Sequence, residues 1–301
     1  MPEITVLTHP VGGGSQSLYD GHHGVTRSLV EGLSKIGADF NYNHRKQKDV
    51  GAVVVVLSGI DALQQAIGFK QTGKIQKLLA GPNLMVRAME YNNILSSPEI
   101  DICIVPSDWV RIAYEADAPD LAGRIRCWYA GIDERFWRPD SSREKDRQVL
   151  IYWKTETKDF YKGVKKLLKG YGWLPVKLEY GRHSRDEFRE TLSGSVFAVF
   201  ISRSESQGIA LAEAWAMDVP TLVWNPKELA AHGRVYSTVS ACPYLTDLTG
   251  LDWVSLEEFD KVLGEIEIKL NAFKPREWVL ANMTDEVSSQ LLLRVIGSLS
   301  M

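Results

Sequence analysis

The apolar positions of this chain switch repeatedly between two periods. Near the start "ITVLT" is a short strand-like run, followed by the polar, glycine-rich stretch "HPVGGGSQSLYDGHHG". From there Val25, Leu29, Val30, Leu33 and Ile36 recur at helical spacing. "ADFNY" and "AVVVVL" read as the next two strands, and the unbroken apolar run of the latter suits a strand covered on both faces. "KLLAG", "ICIVPS" and "IRCWYAG" add three more, with "DWVRIAYEA" as a helix between the last two. The pattern breaks at "GIDERFWRPDSSREKDRQ", which holds Pro139, two serines and a run of charges. A domain boundary is expected there, giving domains of residues 1–140 and 141–301.

A second alternation follows the break. Strand "VLIYW" precedes helix "GVKKLLKGY", "VKLEYG" precedes "SRDEFRETL", "VFAVFIS" precedes "IALAEAWAM", and "TLVW" is a further strand. The closing segment "REWVLANMTDEVSSQLLLRVIGSL" reads as helix with a break near Asn282–Thr284, and its last helix is free to cross back to the first domain. Two rounds of strand–helix alternation predict an α/β protein of two Rossmann-like domains with parallel sheets. In such sheets ligands bind beyond the carboxyl ends of the strands, so the loops after strands are the ones that carry chemistry.

Composition narrows the partners. At 301 residues the chain can bury two full cores, and 45% hydrophobic with 24% charged residues is ordinary for a globular protein. A net charge of −3, with neither half basic, gives no reason to expect nucleic acid. Three scattered cysteines, Cys103, Cys127 and Cys242, form no disulfide framework or metal-binding spacing and suit a reducing compartment. "EITVLTHP" is strand-like, with no charged n-region and h-region of a signal peptide, and no window approaches the ~18 apolar residues of a membrane span, so a cytoplasmic protein is expected. Membrane-surface association stays open, as does oligomeric state.

The segment "SRSESQGIALAEAWAMDVPTLVW" places Glu205 and Glu213 eight positions apart. On one helix they would stand roughly 80° apart, so they converge only with Glu205 in the loop and Glu213 on the helix face. Gly208 permits a tight approach, and free N–H groups at Gly208, Ile209 and Ala210 would suit a phosphate at the helix start. An ionised carboxylate is a strong acceptor for sugar hydroxyls. A solvated loop acid and a surface ion pair would fit the same spacing.

The segment resembles the E-x7-E signature of retaining GT-B glycosyltransferases of the family 4 type, matching at Glu205, Gly208, Glu213, Ala214, Ala216 and Pro220. It departs at Gln207, where an aromatic is common, and at Asp218, where glycine is usual. "WYAGIDERFWRP" is similar to the family's interdomain segment, with Gly131, Asp133, Phe136 and Pro139 matching; its chemistry is that of scaffold, an acid to cap backbone and an aromatic anchor. After "VLIYW", Lys154 and Lys162 stand where the family has a basic pair that neutralises the leaving diphosphate, Lys162 at a helix start. Lys154 replaces the more usual arginine and loses bidentate contact.

The resemblance implies donor binding by the C-terminal domain and acceptor binding by the N-terminal one. The donor would be a UDP- or GDP-linked nucleotide-diphosphate sugar, and the acceptor is left unnamed. Glu205 would orient the sugar, Glu213 would hold the ribose, Gly181 would lie near the base, and Gly13 and Gly14 would approach the diphosphate. Among the family, the leaving phosphate helps deprotonate the acceptor, with no protein nucleophile. Arg182 joins the candidates near the base, His183 and Arg185 read as surface residues at a helix entry, and His22 and His23 as helix-entry residues. Asp20 is an acceptor-side acid with no distinguishing pattern, and "GPNLMVRAMEYNN" lacks the donor-contacting histidine that many members have. No D-x-D follows a strand, so no metal and no other cofactor is expected. The rival classes are a nucleotide-sugar epimerase of related fold, a non-catalytic nucleotide-sugar binder, and a dinucleotide oxidoreductase, the last disfavoured by the missing G-x-G-x-x-G.

Overall fold

A computed structural model of the chain describes residues 3–9, 21–140, 142, 145–231 and 234–300. Gly13, Gly14 and Asp20 lie outside the described residues, as does the side chain of His22. The chain forms two compact units.

In the first unit β1 (Ile4–Leu7), α1 (Gly21–Lys35), β2 (Phe40–Tyr42), β3 (Val53–Val56), α2 (Ile60–Gln71) and β4 (Lys77–Ala80) come first. A single turn α3 (Glu90–Asn93), then β5 (Ile102–Val105), α4 (Asp108–Asp117) and β6 (Ile125–Cys127) complete the run. Six parallel strands lie in the order β2-β1-β3-β4-β5-β6. All four valines of β3 are buried, as a central strand covered on both faces requires. The chain winds outward from β1 to β2, then returns to β3 and winds the other way. The reversal therefore falls between β1 and β3, paired in register from Ile4↔Val53 to Leu7↔Val56.

The second unit repeats the plan. It contains β7 (Gln148–Trp153), α5 (Lys158–Gly170), β8 (Leu174–Glu179), α6 (Arg185–Ser193), β9 (Phe197–Ile201), α7 (Ile209–Ala216) and β10 (Thr221–Trp224). A hairpin of β11 (Leu229–Ala231) and β12 (Arg234–Tyr236) is followed by β13 (Gly250–Trp253), α8 (Leu256–Lys269) and α9 (Pro275–Asn282). Its sheet is parallel in the order β13-β10-β9-β7-β8, so the winding reverses between β7 and β9. Side-chain caps set three helix starts: Thr157 accepts from the N–H of Phe160, Ser184 from Glu187, and Ser255 from Glu258. Each such cap contributes about 1 kcal/mol.

The units divide at Gly131 and Ile132, ahead of the charge run near residue 140. "IDERFW" belongs to the second unit because its side chains pack there. Asp133 accepts from the N–H groups of Arg135 and Phe136 at 3.2 and 3.1 Å, and fully buried Trp137 meets Phe188 edge-on. The last helix, α10 (Asp285–Gly297), rejoins the first unit. Its fully buried Asp285 accepts from Arg27 at 3.1 Å and from Lys35 at 3.4 Å on α1. A buried carboxylate with two cations is satisfied; with either removed it would be costly. Gly32 of α1 makes the contact close: a Cβ there would stand 2.2 Å from the Asp285 carbonyl oxygen.

Among the described residues no helix is long and apolar enough to cross a membrane.

Candidate functional site

The reversal point of the second sheet gathers the charged residues. Lys154 directly follows β7, and its N–H and that of Thr155 both donate to the Ile201 carbonyl at the end of β9. The Arg203 N–H donates to Thr155 Oγ1 at 2.9 Å, so the loops after the two strands are laced together. The N–H of Glu205 donates to the Ser240 carbonyl at 2.9 Å, which fixes the backbone of that acid beyond the strand. The side chains then meet: Lys154 Nζ lies 2.9 Å from both Glu205 oxygens. Both partners are three-quarters or more buried, in surroundings where such a charge-assisted pair is stronger than in open solvent.

Aromatic groups wall this pair. Lys154 Nζ lies 4.5 Å from the centre of the half-exposed Tyr180 ring, just past β8. Tyr152, on β7, is buried among the rings of Tyr180, His183, Phe188 and Phe200. Its hydroxyl has no hydrogen-bond partner among the described residues. Burial pushes its phenol up from the ordinary value, and the Glu205 carboxylate acts in the same direction. A buried O–H donor beside a carboxylate leaves a polar group ready for a ligand oxygen.

Glu205 and Glu213 have different surroundings. Gly208, at φ +80°, caps the start of α7 in the left-handed region that glycine tolerates. Glu213 sits on α7 past its first turn, on a helix whose residues Leu211–Ala216 are all buried. Burial raises its carboxyl well above the ordinary carboxylate range. The expected arrangement, Glu205 in the loop and Glu213 on the helix, is the one observed, and the acid on the helix is a core residue.

Solved structures share this architecture. Sucrose-phosphate synthase from Thermosynechococcus elongatus aligns over 99% of this chain and 99% of its own, with TM-score 0.61 at 12% identity. The apo lipopolysaccharide outer core galactosyltransferase WaaB aligns over 98% and 99%, at 0.59 and 10%. The UDP-GlcNAc 2-epimerase from Methanocaldococcus jannaschii aligns over 99% and 100%, at 0.53 and 11%. The fold is GT-B. No family model matches the chain, and neither does any curated protein. At these identities the likeness carries the GT-B fold and leaves the chemistry to the residues.

The remaining expected site residues fall as follows. Gly181 adopts φ +74° with open space around its Cβ position, beside Tyr180. Ile209 and Ala210 open α7. Lys162 is displaced from its expected place, because α5 begins at Lys158 under the Thr157 cap and Lys162 lies past the first turn. Its side chain is 71% exposed and its ammonium is 2.8 Å from Asp159. His183 and Arg185 are also corrected. His183 is buried against Tyr152 and Phe188, and Arg185 lies 3.8 Å from the Phe136 ring centre. Phe188 lies on α6 itself, but Tyr152 comes from β7 and Phe136 from the segment before it, which a linear reading does not bring together. Tyr152 and Tyr180 were missed for the same reason, although both stand at the ends of recognisable strands. Among the described residues no group of three His, Cys, Asp or Glu is arranged to hold a metal ion.

Proposed function

We propose that the protein is a glycosyltransferase that moves a sugar from a UDP- or GDP-linked donor to an acceptor hydroxyl, with retention of configuration. The observation that carries this is the Lys154–Glu205 pair at the reversal point of the second sheet, beside a helix that opens at Gly208. In this reading the second unit binds the donor and the first the acceptor. Lys154 turns from Glu205 to the diphosphate, and the free N–H groups of Gly208, Ile209 and Ala210 share its charge. Glu205, released, orients the sugar hydroxyls. Glu213 meets the ribose, and Gly181 leaves room for the base beside Tyr180. The E-x7-E resemblance supports a same-face transfer without a protein nucleophile.

Neutralisation by lysine and backbone makes a metal dispensable, so turnover should survive a chelator. A cytoplasmic enzyme is part of the same reading.

The test is a thermal-shift screen against UDP, GDP and their sugars without metal. A ligand at 100 times its Kd stabilises by about 2.7 kcal/mol. Stabilisation by one nucleotide series, lost in Glu213→Ala, supports the reading; a response to none of them removes it. Because the epimerase shares the fold over its whole length, product analysis separates the second reading. A changed sugar without transfer would indicate an epimerase, and binding without turnover a nucleotide-sugar binder.

A further inference from the structure

A second acid–cation pair stands at the reversal point of the second sheet. Arg203 follows β9, two residues before Glu205, and its guanidinium meets the carboxylate of Glu156 in the loop after β7. The two pairs cross the same gap in opposite directions. Lys154, after β7, reaches the acid after β9; Arg203, after β9, reaches the acid after β7. Between them the Arg203 N–H donates to Thr155 Oγ1 and ties the two loops together. The chain then enters α5, and the other Glu156 oxygen accepts from the Thr157 N–H at 3.1 Å, at the N-terminal end of that helix.

This arrangement exceeds what the fold requires. The Glu156 side chain is 8% exposed, and its residue adopts φ +132°, a conformation that side chains rarely take. A carboxylate buried at such a cost has to be compensated. The groups that compensate it are those that receive bound anions elsewhere: a guanidinium and the N-terminal end of a helix. Arg203 itself is 51% exposed and lies 5.8 Å from the Trp224 ring centre, so a ring supports it while half of it meets solvent. Lys162, the expected second cation of this region, is committed to Asp159 on the surface of α5. The two phosphates of a nucleotide-diphosphate sugar each carry a negative charge, and Lys154 answers one of them.

We propose that Arg203 is the second cation of the donor site and that Glu156 is the internal anion which the diphosphate displaces from it. Arg203 exchanges one anionic partner for another, as Lys154 does when it turns from Glu205. Its planar fork offers two N–H groups to two phosphate oxygens, a contact that a lysine does not provide. The proposal rests on the transferase reading and adds to it a residue outside the E-x7-E likeness.

The experiment titrates UDP, GDP, UMP and GMP by calorimetry into the wild type, Glu156→Gln, Arg203→Lys and the double variant Glu156→Gln/Arg203→Met. Glu156→Gln removes the competing anion and should tighten the diphosphate about two- to fivefold, the scale of a half-exposed ion pair. Adding Arg203→Met to it should weaken the diphosphate about 10–100-fold relative to Glu156→Gln, with no buried acid left unpaired. Arg203→Lys keeps the charge and loses the fork, so its affinity should fall between those of the wild type and the double variant. The monophosphates should lose less than the diphosphates. If the pair merely clasps the two loops, Glu156→Gln weakens binding instead, and that sign overturns the proposal. So does a double variant that binds the diphosphate as Glu156→Gln does; with Lys154→Met weakened in the same titration, the donor site stands and Arg203 lies outside it. Equal losses for mono- and diphosphates would assign Arg203 to the nucleoside and also overturn it. If neither diphosphate binds the wild type, the transferase reading and the second cation fall together.

Discussion

The two units place different chemistry at the same topological position. Each sheet reverses its winding between its first and third strands in chain order, and each reversal point pairs an acid with a nitrogen-bearing side chain. In the second unit Lys154 and Glu205 are largely buried, held in two 2.9 Å contacts and walled by tyrosines. In the first, His9 and Asp61 are largely exposed and 3.5 Å apart. A sheltered ammonium suits a ligand whose negative charge must be met. An exposed imidazole 3.5 Å from a carboxylate has no such shelter. Topology chooses where a site falls, and side chains choose what it does.

Within the second unit the largest expected effect falls on the Lys154–Glu205 pair. Glu205→Gln should lower turnover about 10²–10³-fold, the scale of losing one preorganised electrostatic contact, and change donor affinity little. Steady-state kinetics at varied donor decides this; a collapse in affinity at unchanged kcat would recast Glu205 as a binding residue. Lys154→Met should weaken donor binding about 10–100-fold, because it removes the diphosphate's cation and leaves Glu205 without its partner. Calorimetric titration with the nucleoside diphosphate measures it. If Lys154→Met binds as the wild type does, the comparison fails at its first term.

Much of this was legible along the chain, and the reason differs from part to part. The strands at Val53–Val56 and Phe197–Ile201 are short apolar runs between turns, so their period and length identify them. The break between α9 and α10 was visible because Asn282–Thr284 interrupts the apolar spacing. Helix α8 was not recognised, although Ser255 with Glu258 three positions on is a helix-start signal. The hairpin of β11 and β12 has strands of only three residues each and no asparagine–glycine pair between them, so no alternation is long enough to show. At the site, the Glu205–Glu213 spacing was legible because both acids share one loop and helix. His9 with Asp61 was not: the residues lie on separate elements, and only the β1–β3 pairing brings them together.

Backbone and burial give the next effects. Gly208→Ala should cost about 1–2 kcal/mol of stability, since φ +80° strains any side chain and the Cβ would stand 2.9 Å from Leu211 Cδ1. Gly181→Ala, at φ +74° in open space, lacks the second penalty and should cost less; denaturant melts of both variants give the difference. Glu213 adds a pH dependence. Burial raises its native value, so between the unfolded and native values the native state binds more protons than the unfolded chain. Its contribution to stability is then full below the unfolded value and declines as pH rises toward the native one. Glu213→Gln should remove that decline, which melts from acid to alkaline pH will show. An unchanged slope would mean that Glu213 ionises freely within the core.

The smallest effect is expected at Lys162, and it is the sharpest check on which cation meets the donor. Lys162 and Lys154 were equivalent in sequence, both lysines near the loop after the first strand of the second unit. The Thr157 cap starts α5 early and leaves Lys162 past its first turn, on the exposed surface beside Asp159, three positions back. Exposed pairs of that spacing contribute ~0.2–0.5 kcal/mol. Lys162→Met should therefore leave the melting temperature nearly unchanged and the diphosphate affinity within about twofold of wild type, against the 10–100-fold loss for Lys154→Met. Calorimetric titration of both variants under one set of conditions compares them directly. A loss at Lys162 as large as that at Lys154 would mean that the ammonium leaves Asp159 for the diphosphate when donor binds. The donor site would then draw on two lysines, and the early start of α5 would be the feature that keeps the second one in reserve.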